Sequence, residues 1–244
     1  MYSHHKLDHE FEPVEITASF AVCALPRSGS SLLCELLFDT GLAGAPAEYF
    51  DETLMTSFRR RWGVSTSAGY LEALLARKTG PNGVFGFKAH FFQLVEAFPD
   101  DELERAFPSL RYVFIARRDR LRQAISWARA IQTGKWASDH QVAEHNGISF
   151  RRQQIDRLLE GIAERECRWE ARFAASGVEP LRITYEELVA APAQTVRSVL
   201  RHIGVESPDS IELSPPSLGR QADEATEEWV NRYLDGDRVV ASRW

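Results

Sequence analysis

Five consecutive residues, Arg27-Ser28-Gly29-Ser30-Ser31, stand between an apolar run closed by Pro26 and a segment with apolar positions at Leu32, Leu33, Leu36 and Leu37. The order reads as strand, tight loop and helix: Ser19 to Leu25 is the strand, Gly29 permits a sharp turn, and Ser30 or Ser31 can cap the helix. Such a turn aims backbone N–H groups and the positive end of a helix dipole at one point, and Arg27 adds a fixed cation. The chemistry on offer is anion binding, with a phosphate as the natural guest. Two other phosphate chemistries do not fit. No lysine follows Gly29 as the nucleotide-hydrolysis pattern G-x-x-x-x-G-K-[ST] requires. Cys23 lies inside the predicted strand, where it suits core packing, rather than in the loop as a phosphatase nucleophile would.

More charged groups stand at the ends of other apolar runs: Lys88 and His90 after Val84-Phe85-Gly86-Phe87, and Arg117 and Arg118 after Arg111 to Ala116, with Ser126 in the helix that follows. Glu48 lies in the loop beyond the first helix, carried back toward the carboxyl end of the first strand, where ligands sit in open parallel sheets. The elements that must position these groups alternate. Helices are predicted over residues 53–62 and 67–78, a strand over Val84 to Lys88, brief helices over 91–98 and 102–107, and a strand over 111–116. A helix over 119–133, a long amphipathic helix over 149–175, a strand over 181–184 and helices over 185–189 and 194–203 complete the pattern. Strands separated by helices imply an α/β fold, a parallel sheet flanked by helices. The 244 residues suit one domain at 15–244 behind a flexible N-terminal tail at 1–14, whose His4, His5 and His9 lack partner ligands for a metal. Residues 135–147 are polar and weakly patterned, and read as a mobile loop over a substrate.

The formal net charge of −6 argues against a nucleic-acid or membrane-surface binder, while leaving room for a local basic pocket. No apolar run approaches a membrane span, and the N-terminus lacks a signal peptide's apolar core, so a cytoplasmic location is expected. Cys23, Cys34 and Cys167 show no paired spacing, which suits a reducing compartment.

The run from Pro26 to Leu37, followed by Thr40-Gly41-Leu42-Ala43-Gly44 and Glu48-Tyr49-Phe50, resembles the bacterial trehalose 2-sulfotransferase family within the sulfotransferases that use 3′-phosphoadenosine 5′-phosphosulfate (PAPS). The resemblance extends discontinuously from about Phe20 to Leu234 and implies a sulfotransferase fold of the P-loop-containing nucleotide hydrolase kind. It implies that Pro26, Arg27, Ser28, Gly29, Ser30 and Ser31 hold the 5′-phosphosulfate, and that a second site takes the 3′-phosphate. Arg117, Arg118 and Ser126 are similar to the Arg and Ser of that second site. Arg118 has the eight-residue spacing to Ser126 usual in the wider superfamily, whereas Arg117 fits the bacterial family better. Arg220-Gln221-Ala222-Asp223, with Glu228-Trp229-Val230, looks like the closing nucleotide-binding segment and would bring Arg220 and Gln221 near the 3′-phosphate or adenine. The same letters also suit a helix N-terminus with Asp223 complementing its dipole.

Sulfuryl transfer needs a base for the acceptor hydroxyl and cations for the departing phosphate. Arg27 and Lys88 are the cation candidates. Glu48 matches the glutamate that the family is thought to use as base, while Lys88-Ala89-His90 looks like the Lys-x-His of the cytosolic sulfotransferases, in which the histidine is the base. The bacterial pattern lacks that histidine, so Glu48 and His90 both stand as contenders. The resemblance implies a carbohydrate or glycolipid acceptor, trehalose sulfated at its 2-hydroxyl or a related sugar, with PAPS as co-substrate, no metal and a homodimer. Phe92, Trp127, Gln132 and Trp136 offer surfaces on which a sugar could lie. Residues 53–80 and 135–148 show no clear match to the family pattern. A small-molecule kinase on the same fold and a non-catalytic adenylyl-nucleotide-binding protein are the alternative readings, the first opposed by the missing lysine.

Overall fold

The computed structural model describes residues 4–99, 102–136, 147–208, 211, 213 and 224–241. Strands β1 (Ala18–Ala24), β2 (Val84–His90), β3 (Arg111–Ala116) and β4 (Leu181–Thr184) form a parallel sheet in the order β2-β1-β3-β4. β1 is central, and side chains along it alternate between two apolar layers. Ala21 and Cys23 join Phe85, Phe87, Tyr112 and Phe114 on one face, while Phe20, Val22 and Ala24 join Val84, Val113 and Ile115 on the other. Both faces are therefore covered, which explains why these strands read as unbroken apolar runs.

The first face is covered by α3 (Glu52–Trp62), α4 (Ser67–Lys78), α5 (Phe91–Ala97), α6 (Glu102–Ala106), α7 (Arg120–Thr133) and α8 (Arg152–Ser176), which supply Phe58, Tyr70, Leu74, Leu94, Leu103, Ile125, Ile155, Ile162, Trp169 and Phe173. The second is covered by α2 (Ser30–Asp39), α9 (Tyr185–Ala190) and α10 (Pro192–His202) through Leu33, Leu37, Leu188, Val196, Val199 and Leu200. α11 (Glu224–Ala241), which the periodicity did not predict, docks on α7. Arg122 of α7 makes a forked pair with Glu227 at 3.0 and 2.7 Å, and Trp229 and Val230 are buried beside it. Among the described residues no helix is long and apolar enough to cross a membrane.

Two expectations change. β2 runs on to His90, two residues beyond Lys88, because Cys23 and Ala24 still pair with Ala89 and His90. The described part of the N-terminal stretch is not loose. It begins with α1 (His4–Asp8), Lys6 and Leu7 are buried, and Lys78 Nζ donates to the carbonyls of Leu7 (2.7 Å) and His9. Phe11 N–H bonds to Arg77 O at 2.9 Å, and Trp62 and Arg61 hold Glu10 and Asp8. His9 spends its ring against Phe11 and Phe38. A buried lysine with two backbone acceptors satisfied in this way is a built anchor.

Gly86 lets β2 lie against β1: a Cβ there would fall 2.3 Å from Phe20 Cζ, and Phe20 is fully buried. Gly86→Ala is expected to cost about 1–3 kcal/mol through overpacking, lowering Tm by roughly 2–10 °C for a chain of this size. A calorimetric Tm unchanged by the substitution would refute this account of the β1–β2 contact.

Candidate active site

Arg27, Lys88, His90, Arg117 and Arg118 lie at or just beyond the carboxyl ends of strands, whereas Ser126 comes from α7 and Glu48 from the loop after α2. The turn after β1 carries Arg27 at φ 65°, a left-handed backbone rare for a residue with a side chain, followed by Gly29 at φ 89°. Gly29 is itself the N-cap of α2, with no side chain capping the helix, so Ser30 and Ser31 lie in the first turn rather than at the cap. The first-turn amides consequently face outward without a side-chain acceptor. A Cβ on Gly29 would lie 2.5 Å from Cδ2 of Tyr185, so only glycine lets the loop approach the first residue of α9.

Across the sheet, Arg117 follows β3 and lays its guanidinium over the Tyr185 ring at 4.6 Å, while its Nε is buried without a hydrogen-bond partner among the described residues. Burial lowers its pKa. Arg27 is lowered to about 10, by burial first and by Arg117 second, and so remains cationic at neutral pH while carrying the cost of a like charge nearby. Arg27 Nε donates to Ser126 Oγ of α7 at 2.9 Å, and its Nη1 donates to the carbonyl of Trp136. Gln123 Nε2 bonds Pro26 O at 2.8 Å and ties the loop to α7. Ser28 Oγ is buried with no hydrogen-bond partner among the described residues. Two neighbouring cations, an uncapped helix start and unpartnered buried donors make a cradle for a polyanion.

Arg118 separates from this group. Its side chain is 62% exposed and paired with Glu187, and its N–H bonds Glu186 at 3.1 Å, because successive residues at a strand end point to opposite sides. Of the two arginines the structure therefore brings Arg117, and not Arg118, to the loop. Arg220 and Gln221 lie outside the described residues, as do residues 137–146 of the expected mobile loop.

Glu48 arrives by a short parallel bridge between Ala47 and Phe87, locked by Lys88 N–H to Ala47 O at 2.8 Å. Its carboxylate is 9% exposed. One oxygen meets Lys88 Nζ, and the other accepts from Gln93 Nε2 at 2.8 Å and lies 3.4 Å from His90 Nε2. Lys88 Nζ also reaches Ser31 Oγ at 3.3 Å, so one ammonium spans the loop and the carboxylate. Removing one member of such a buried pair typically costs about 3–5 kcal/mol, since it strands the other charge.

His90 has a defined tautomer. Its Nδ1 lies 3.0 Å from the carbonyl of Ala24, which can only accept, so the proton sits on Nδ1 and Nε2 presents a lone pair toward Glu48. Trp169 Nε1 donates to the same carbonyl at 3.3 Å. Burial pushes the His90 pKa down, partly opposed by Glu48, so the ring is neutral near pH 7.

The sequence reading missed Gln93, Tyr185 and Gln123. A signal existed for Gln93, whose Oε1 accepts His90 N–H at 2.8 Å in the manner of a capping-box residue three positions into a helix. Tyr185 is recognisable only from strand order, since β4 must lie beside β3 before its first following residue can meet the loop. Of the aromatic and amide surfaces, Trp127 is buried beneath Arg165, and Gln132 is spent on Ser149 and Gln154. Phe92 and Trp136 remain exposed. Among the described residues no group of three or more His, Cys, Asp or Glu is arranged to hold a metal.

The His90 geometry makes a prediction. Its folded pKa lies below the ordinary 6.5, so the unfolded chain takes the proton more readily. Its contribution to stability is full above about pH 6.5 and is lost as the pH falls below that value. Heteronuclear NMR is expected to show a neutral, Nδ1-protonated ring at pH 7; an Nε2-protonated ring or a pKa of 6.5 or above would contradict the arrangement.

Residues 19–236 match the model of the Stf0 sulphotransferase family. The chain is 30% identical to a trehalose 2-sulfotransferase of Mycobacterium tuberculosis, with 88% of this chain and 93% of that protein covered. It is 28% identical to one from Mycolicibacterium smegmatis, over 88% and 94%. Among solved structures, a sulfotransferase from Alicyclobacillus acidocaldarius aligns with a TM-score of 0.47 and 15% identity, over 89% of this chain and 91% of that one. A family match across almost the whole domain, joined to the sheet and anion loop above, makes this chain a member of the Stf0 sulphotransferase family and an enzyme.

Proposed function

We propose that the enzyme moves the sulfo group of PAPS to a hydroxyl of trehalose or a closely related sugar, with Glu48 as general base. The observation that carries this reading is the position of Lys88, whose ammonium touches Ser31 of the anion loop on one side and Glu48 on the other. A single cation there serves both halves of the reaction. The names of the curated relatives support the acceptor class.

The residues present fit such a donor. Ser28 Oγ and Arg117 Nε are buried donors without partners among the described residues, and the start of α2 has no side-chain cap. PAPS supplies an activated sulfo group whose transfer leaves a phosphate oxygen carrying new negative charge. The amides at the start of α2, with Ser28 and Arg27, would hold the phosphosulfate, and Arg117, with the Tyr185 ring at its back, would hold the 3′-phosphate. Arg27 also anchors Ser126, which couples the two anion sites. Lys88 turning toward the loop would stabilise the departing oxygen and release one oxygen of Glu48 for the acceptor hydroxyl. Glu48 would then take the hydroxyl proton as the new sulfur–oxygen ester bond forms. Gln93 keeps the carboxylate oriented, and His90 Nε2 stands ready to share the proton that Glu48 acquires.

Two measurements test the assignment. Glu48→Gln is expected to lower kcat by about 10²-fold or more while leaving affinity for 3′-phosphoadenosine 5′-phosphate within threefold, and His90→Ala to lose less. A His90→Ala enzyme that is inactive beside a fully active Glu48→Gln would move the base to His90. For the donor, calorimetric titration is expected to show Arg117→Ala weakening the same nucleotide at least tenfold and Arg118→Ala changing it less than twofold. The opposite order would reverse the choice of arginine.

A further inference from the structure

On the outer side of His90 a partly open pocket of about 100 Å³ lies between α5 and α8, outside the anion cradle. Its floor is Ala24 with the fully buried Trp169, and its wall is Phe92, 57% exposed and stacked on the His90 ring at 6.1 Å and 13°. Three charged residues of α8 form the opposite rim. Arg168 and Glu164 are joined at 2.6 Å, and Arg165 is held by the carbonyl of Gly161 at 2.9 Å and by the Trp127 ring at 5.0 Å.

The lining sets an aromatic ring and a joined guanidinium and carboxylate around one pocket. It suits a hydroxyl-rich ring, whose C–H face packs on the aromatic while vicinal hydroxyls accept from arginine and donate to glutamate. The pocket shares His90 with Glu48, so a sugar ring seated there adjoins the ring being sulfated.

We propose that Phe92, Glu164 and Arg168, with Arg165 as a fixed support, form the subsite for the second, non-reacting ring of a disaccharide acceptor. This rests on the carbohydrate-acceptor reading above and adds the residues that distinguish a disaccharide from a monosaccharide. The rim has a structural property that fits such a role: the Arg168–Glu164 pair is more than half exposed and contributes little to stability, so its removal acts on ligand rather than on fold.

Steady-state kinetics with trehalose and with glucose as acceptors, at saturating PAPS, read the subsite directly. Phe92→Ala and Arg168→Ala are each expected to raise KM for trehalose about five- to tenfold, with kcat within twofold, KM for glucose within twofold, and affinity for 3′-phosphoadenosine 5′-phosphate unchanged. Arg168→Lys, which keeps the charge and loses the planar fork, is expected to recover only part of the effect. Trehalose KM unchanged in both alanine variants, or glucose KM rising in parallel, overturns the subsite while leaving the general reading intact. A wild-type enzyme that binds the nucleotide yet sulfates neither sugar sinks the acceptor assignment and this subsite together.

Discussion

The buried pair of Lys88 and Glu48 is the interaction on which the rest of the site depends. A carboxylate and an ammonium, each less than a tenth exposed, are tolerated in a protein interior only when each compensates the other and further hydrogen bonds complete the shell. Gln93 completes it for Glu48, and Ser31 for Lys88. The pair therefore fixes the distance between the loop at Ser31 and the Glu48 carboxylate before any ligand arrives. Backbone bonds reinforce this, since Lys88 N–H holds Ala47, the residue before Glu48. Position is inherited from β2, and charge from the need to be neutralised.

Around that pair the sheet concentrates positive charge. Strands of a parallel sheet all end on the same side, so groups at or just after the carboxyl ends of β1, β2, β3 and β4 converge without any being near another in sequence. Arg27, Lys88 and Arg117 meet in this way, and Tyr185 gives Arg117 an aromatic back that costs no competing negative charge. Glu187 is drawn to Arg118 at the exposed side and Glu186 accepts from its backbone N–H, although Glu186 and Asp119 still act on Arg117. The result is a local basic cradle in a chain of net negative charge.

Much of the fold could be read from the residues because the strands obey one rule: apolar on both faces, closed by a charge or a breaker. β3, β4 and α4 come out at their expected limits for this reason. The loop was equally readable, since Gly29 and the serines are local chemistry. What escaped is what depends on pairing partners. β2 outruns its apolar run because β1 continues to bond it at His90, and the choice between Arg117 and Arg118 rests on which stacks on Tyr185 beside the loop and which turns out to Glu187, a fact of strand order. The N-terminal stretch looked loose because its anchor, Lys78, sits some seventy residues away and spends its charge on backbone carbonyls, which leave no sequence trace. The pocket behind Phe92 belongs to the same class, since helix α8 must be in place before it has a meaning, and the bond from Gln93 to Glu48 needs the loop after α2 to be placed first.

The central place of β1 has a consequence for how the protein is made. Of the four strands it is made first, yet one edge is covered by residues 84–90 and the other by residues 111–116. An apolar strand with both edges open is a template for unwanted pairing, and contacts between residues so distant in sequence form late. The loop after β1 is thus made before both strands that flank β1 and cannot be shaped until β3 has been synthesised. Its assembly is held back by topology, and the growing chain must be kept from self-association until then.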